Sequence, residues 1–339
     1  MTEVFSKERV SCGYVQDAAE MTVSAGQKSH QLFENIIARA AKLSSPMPTG
    51  VIWPCEQHAL EGALDAAEHG LMQPVLIGDK RTITQLAEAC HCDLGKAEII
   101  DVSTPEAAAT QGVSLVREGR LRTLMKGSLH TDILMHAVVA PDQGLRTNRR
   151  ISHVFLLAIP DYSDLVFVTD AAINIFPDLE AKRDIVQNAI DLHIGLGLGE
   201  PRVALLSAVE VVNPKIPGTV DAACLCKMAE RKQIQGGILD GPLAMDNAVN
   251  IEAARIKGIE SPVAGRAQIL VSPDLESGNM LAKNMIFMSH AESAGIVLGA
   301  KVPILLTSRA DSVQARLASV AVGALYADYL ARSNVSQKY

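Results

Sequence analysis

From residue 50 onward, short apolar runs alternate with helix-length, alanine-rich segments. Gly50–Pro54 and Pro74–Gly78 are apolar at consecutive positions, which predicts strands buried on both faces, and Ala97–Val102 and Leu121–Met125 read as two further strands. Between them the apolar residues fall at helical spacing. Glu56–His69 carries Ala59, Leu60, Ala63, Leu64 and Ala67 on one face, and Thr82–Cys90 and Pro105–Glu118 follow. The last of these has proline in its first turn, a favoured helix start. Such alternation predicts βαβ units around a parallel sheet.

The rhythm changes at a polar connector, Asp142–Arg150. Two neighbouring strands follow, Ser152–Ile159 and Leu165–Thr169. Helix Leu179–Ile194, strand Val203–Ala208, helix Thr219–Arg231, strand Gly236–Asp240 and helix Ala248–Lys257 come next. Strand Ala267–Val271, helix Gly278–Met288, strand Ile304–Thr307 and helix Ser312–Leu330 complete the pattern. A boundary near Arg150 divides the chain into two α/β/α lobes with a cleft between them, the usual place for a ligand. Residues 1–30 lack clear periodicity and read as a tail.

Composition narrows this picture. A length of 339 residues suits about two domains. Aromatics make up only 4 %, so the core must be aliphatic and base-stacking platforms for nucleic acid are excluded. The formal net charge of −7 gives no overall pull towards nucleic acid or an anionic membrane. No apolar run approaches the roughly 20 residues of a membrane span, and the N-terminus has no signal-peptide core. Six cysteines make no disulfide framework. The expectation is a cytoplasmic protein with free thiols.

Several strand ends carry chemistry. Ser308-Arg309-Ala310-Asp311-Ser312 follows an apolar strand and opens a long helix, where free amides and the dipole favour anions and Arg309 offers a planar donor fork. Asp311 with Gln314 equally forms a plain capping box. Lys126-Gly127-Ser128-Leu129-His130-Thr131 also joins strand to helix and can donate to phosphate, although it lacks P-loop spacing. Arg149 and Arg150 sit at the domain junction. Thr169-Asp170, Leu239-Asp240-Gly241-Pro242 and Ser272-Pro273-Asp274 place acids where strands end, either for chemistry or for helix capping. Their convergence at one sheet edge is expected. Gly195-Leu196-Gly197-Leu198-Gly199 follows a helix, so it reads as a helix end rather than a dinucleotide fingerprint. Cys90-His91-Cys92 and Cys224-Leu225-Cys226 lack the spacing of structural zinc sites, and no metal is assigned.

In this order, the motifs resemble the phosphate acetyltransferase/phosphate butyryltransferase family. They are Lys126-Gly127 with His130-Thr131; Thr169-Asp170-Ala171-Ala172-Ile173-Asn174; Leu239-Asp240-Gly241-Pro242-Leu243; Ser261–Ala267; and Ala300–Ile304 running into Thr307–Ser312. The resemblance spans about residues 35–330, and the last motif looks closer to the butyryltransferase branch. It implies reversible transfer of an acyl group between CoA and inorganic phosphate, two lobes like those of isocitrate and isopropylmalate dehydrogenases, and a homo-oligomer, a homodimer or larger. It also returns residues 300–339 to the first lobe (31–150), leaving 151–299 as the second. CoA is a substrate and no cofactor is implied.

The resemblance makes Ser308, Arg309 and Asp311 the catalytic candidates, with Ser308 donating to the reacting carbonyl and Arg309 clamping phosphate and oxyanion. Lys126, Gly127, His130, Thr131, Arg150, Asp170, Asn174, Asp240, Gly241, Pro242 and Asn279 become substrate-binding candidates. One position departs from the pattern. Ala315 stands where classical acetyltransferases carry the carboxylate proposed as base, and Asp311 is the nearest replacement. A non-catalytic acyl-CoA-sensing domain of the same fold is the alternative. A metal-dependent dehydrogenase would require clustered aspartates and a nicotinamide site that are not found.

Overall fold

Successive residues of a strand go to opposite faces of a sheet, and here both faces are covered. The structure, a computed structural model, describes residues 30–160, 162–306 and 312–336. A helix over 30–40 (α1) leads into β1 Met47–Ile52, α2 Gln57–Glu68, β2 Met72–Gly78, α3 Lys80–Ala89, β3 Glu98–Asp101, α4 Pro105–Arg117, β4 Thr123–Lys126 and α5 Thr131–Val139. Then come β5 Ser152–Ala158, β6 Val166–Thr169, α6 Leu179–Gly195, β7 Arg202–Leu206, α7 Pro217–Glu230 and β8 Ile238–Leu243. The chain continues through α8 Met245–Val249, α9 Ile251–Ile256, β9 Ile269–Val271, α10 Leu275–Met288, β10 Glu292–Leu298, β11 Ile304–Leu305 and α11 Val313–Ser336.

The strands form a single sheet in the order β3-β2-β1-β4-β11-β10-β5-β6-β9-β7-β8. Strands β2, β3, β4 and β11 run parallel with β1 through their neighbours. Strand β10 is antiparallel to both β11 and β5, and β5 is antiparallel to β6. The four strands from β6 to β8 therefore point opposite to β1 and β4. One face of the sheet carries a continuous core: Val51, Leu76, Met125, Leu305, Ile296, Val154, Phe167, Ile269 and Val203 pack under residues such as Leu60, Ile83, Ile190, Ala222 and Leu325. The other face carries two separate cores. Ile52, Ile77, Leu124 and Val297 lie with Val113 of α4 and Leu134 of α5, and Leu157, Val168, Leu270 and Ala204 lie with Ala248, Ala254 and Ala282 of α8 to α10.

The mixed α/β pattern read from the sequence is observed, with one central addition. Strand β10 was not expected. Its opening Glu-Ser-Ala-Gly reads as a loop, and only its place between β11 and β5 buries it. Residues 316–327 of α11 are buried on every side, as befits a helix laid between other helices and the sheet. Among the described residues no helix is long and apolar enough to cross a membrane. Caps agree with local chemistry: Asp79, Thr104, Asp178 and Asp274 each accept the amide three residues on, and Gly197, just past α6, takes a positive φ of 68°.

His153 on β5 is wholly buried, and its Nδ1 has no hydrogen-bond partner. Loss of hydration, aided by the Lys283 ammonium, pushes its pKa down to about 3. An unfolded histidine titrates near 6.5, so between these values the unfolded chain binds a proton that the native state refuses. Stability is therefore present at neutral pH and lost as pH falls below about 6.5. Urea denaturation at pH 7 and pH 5 is expected to differ by about 2 kcal/mol from this group. His153→Gln should remove most of that difference.

Candidate active site

A single row of paired residues crosses seven strands: Met125, Leu305, Ile296, Val154, Thr169, Val271 and Leu205. It shows where the candidates lie. The chain leaves β4 and β11 on one side of the row, into 126–131 and into Leu306. It leaves β6 and β9 on the other side, into 170–174 and 272–279, because the β5–β6 pair reverses direction. The expected convergence of all strand ends at one edge is thus corrected: the candidates fall into two groups. With strands about 4.8 Å apart, β4 and β6 stand four intervals, or about 19 Å, from each other across the sheet.

The first group surrounds the end of β4. Gly127 donates its amide to Ile52 O at 2.9 Å, and Ser128 donates N–H and O–H to Trp53 O at 2.9 and 2.8 Å. A Cβ on Gly127 would meet Ile52 O at 2.5 Å and Trp53 O at 2.6 Å, so only glycine allows this approach. Gly127→Ala is expected to cost about 1–3 kcal/mol of stability, read as a lower thermal midpoint. Lys126 Nζ donates to Gly127 O and Leu129 O at 3.2 and 3.3 Å. His130 is exposed at the N-cap of α5 and Thr131 opens that helix.

Ser308, Arg309 and Asp311 lie outside the described residues. Both flanks are described, however, and Leu306 and Ser312 line the same groove of about 290 Å³. Its wall also holds Phe155, Lys283, Phe287 and Ala315. Lys283 Nζ stands 5.8 Å from the centroids of both phenyl rings. Phe155 and Lys283 are not legible as site residues in the sequence, because Phe155 looks like core and Lys283 like a solvated helix face. At the start of α11, Ser312 Oγ accepts from Ala315 N at 3.1 Å, while the Asp311–Gln314 box involves a residue outside the described ones.

The second group is tightly bonded. Asp170, 3 % exposed, accepts from the amides of Ala172, Ile173 and Asn174 and from Asn174 Nδ2. Burial raises its pKa, and these donors pull it back. Asn174 accepts from Arg150 Nε at 2.8 Å and donates to Ile151 O. Asn279 Nδ2 donates to Ala171 O at 3.0 Å, and a Cβ on Gly278 would meet Asp170 O at 2.5 Å. Arg150 and Asn174 line an open pocket of about 560 Å³ shared with Arg146, Arg149 and Arg183.

Asp240, Gly241 and Pro242 join neither group. They sit within β8, the far edge of the sheet, six strand positions from β11. There Asp240 Oδ1 accepts from Gly241 N at 2.8 Å. Cys226, on α7, has its thiol pushed up to about 12, chiefly by burial, which suits an inert thiol.

Comparison with known proteins adds the chemistry. The family model described as Phosphate acetyl/butaryl transferase matches residues 104–324. A phosphate acetyltransferase from Rhizobium meliloti is 63 % identical over 295 residues, covering 87 % of this chain and 93 % of that relative. A phosphate butyryltransferase from Clostridium beijerinckii is 39 % identical over 272 residues, covering 80 % and 90 %. Identity is thus higher to the acetyltransferase, whereas the Thr307–Ser312 motif had pointed to the butyryl branch. A phosphotransacetylase from Streptococcus pyogenes superposes with a TM-score of 0.75 over 88 % of this chain and 98 % of its own at 22 % identity, a likeness of fold.

Proposed function

Because the chain belongs to the phosphate acetyl/butyryl transferase family, and so transfers an acyl group between CoA and phosphate, we propose that its acyl group is acetyl. The observation that carries this reading is the 63 % identity to a phosphate acetyltransferase over most of both chains. An acyl-CoA panel with phosphate-dependent CoA release tests it. Acetyl-CoA should exceed butyryl-CoA in kcat/KM by about tenfold or more, the discrimination that one or two methylenes allow. A preference for butyryl-CoA overturns the acetyl assignment.

In the acyl-phosphate direction, the CoA thiolate attacks the carbonyl carbon within a ternary complex, and the C–O bond to phosphate then breaks. A free thiol, with pKa near 8.5, is only a few per cent ionised at neutral pH and benefits from a base. Ser308 donates to the carbonyl oxygen as it gains charge, and Arg309 clamps phosphate and oxyanion. Asp311 receives the thiol proton.

In support of this arrangement, Lys283 lines the same groove as Leu306 and Ser312. There its ammonium attracts the phosphate. Lys283→Gln should raise the KM for phosphate about tenfold, the equivalent of about 1.4 kcal/mol, with kcat within about threefold. An unchanged KM removes Lys283 from the phosphate site.

The active form is a homodimer in the cytoplasm, where CoA and inorganic phosphate are both available. Supporting the dimer, Ile175, Phe176 and Met280 are all more than half exposed, Phe176 reaching 79 %. Loops 171–178 and 272–275 are joined by the Leu275 N–H bonded to Ile175 O. Phe176→Ser should shift sedimentation towards the monomer.

A further inference from the structure

We propose that Glu61, Cys90 and Cys92 form a binding site for a thiophilic divalent cation, zinc above all. The spacing Cys-His-Cys alone carries no such reading, since it is not the C-x₂-C spacing of structural zinc sites. The fold changes this in two ways.

First, α3 ends at Ala89 with Cys90 as its cap, and His91 takes a left-handed φ of 55°. The turn is closed by Cys92 N–H donating to Ala87 O at 2.9 Å and His91 N–H donating to Glu88 O at 3.3 Å. A left-handed residue here folds the chain back, so Cys92 returns beside Cys90 instead of continuing around the helix. Second, α2 packs alongside α3 and presents Glu61 to the pair. One ligand atom from each of the three residues lies within 4.8 Å of the others. Sulfurs of a tetrahedral zinc site are about 3.8 Å apart, given Zn–S bonds of about 2.3 Å, so side-chain rotation alone closes the difference.

The surroundings suit a cation. Glu61 and Asp65 set negative charge beside Cys92, which a bound cation would neutralise. Gln57 Nε2 donates to Glu61 Oε1 at 2.8 Å, and His58 Nδ1 lies 3.5 Å from Glu61 Oε2. Both contact the carboxylate and would orient it, as outer partners of metal ligands do. All three ligand residues are partly exposed, which leaves an entry path and room for water as the fourth ligand. On binding, the two thiols release their protons to solvent and two thiolates and one carboxylate take the ion. Soft sulfur donors select zinc over magnesium or calcium. The bound ion ties the end of α3 to α2.

The test uses the full chain, reduced and freed of metal by a chelator, titrated with Co²⁺ as the spectroscopic probe. One Co²⁺ per chain should give a thiolate-to-cobalt absorption band, and one equivalent of Zn²⁺ should erase it. The double variant C90S/C92S should lose the band and bind one Zn²⁺ fewer per chain, while Cys12, Cys55, Cys224 and Cys226 remain as internal controls. Glu61→Gln should keep the band but weaken zinc binding 10–100-fold, with an unchanged circular-dichroism spectrum showing that the chain is folded. Absence of a cobalt band in the unsubstituted protein overturns the proposal, as does a band that survives in C90S/C92S. If the double variant does not fold, Cys92→Ala decides in the same way.

Discussion

Arg309→Gln is expected to lower the turnover of acetyl-CoA and phosphate by about 10²–10³-fold, the usual loss when a donor to a developing oxyanion is removed. In the proposed mechanism the guanidinium serves two charges at once, the phosphate and the oxygen of the tetrahedral intermediate. Arg309→Lys retains the charge but not the planar fork, so its activity should fall between the two. Phosphate-dependent release of CoA thiol measures both. Turnover within threefold of the unsubstituted enzyme would move the anion clamp elsewhere, with Arg150 and Lys126 next in line. Asp311→Asn completes the set. If it turns over normally while Ser308→Ala does not, the thiol proton goes to another base or to solvent.

Asp170→Ala is expected to destabilise the protein by about 3–5 kcal/mol. Both carboxylate oxygens are engaged inside the protein, by three amides and one carboxamide. Their removal leaves buried donors without partners, at about 1–3 kcal/mol each before relaxation. Asn174 then loses the bond that orients it towards Arg150, so the pocket beyond should loosen as well. Since whole proteins have only about 5–15 kcal/mol in hand, the variant should be near the limit of folding at physiological temperature. Urea denaturation measures it. A loss below about 1 kcal/mol would free this carboxylate for a direct role with substrate.

Much of the fold was legible because the strands are buried on both faces. Runs such as Pro74–Gly78 and Val203–Leu206 are apolar at every position, and the alanine-rich helices between them keep their period. Strand β10 was illegible for the opposite reason: its first four residues are polar or small, and its burial comes from β11 and β5. The two-sided distribution of the site residues was equally hidden. It follows from the direction of the β5–β6 pair, and no local pattern encodes that direction. Asp170 was picked out as an acid at a strand end, yet its bonds turn inward. Lys283 was passed over because one lysine on a helix looks like any other until the fold sets it beside Phe155 and Leu306. Glu61 and the Cys90–Cys92 pair share no sequence neighbourhood at all, and only the packing of α2 on α3 joins them.

The placement of β11 bears on how the protein is made. On the ribosome, β4 emerges long before one of its two neighbours in the sheet, residues 304–305. Until then the nascent chain carries an open strand edge along β4, and β10 lacks one of its two partners. Open edges of this kind invite pairing between chains, and long-range closure is slow. Chains cut short before residue 304 should therefore collect as aggregates or be held by chaperones.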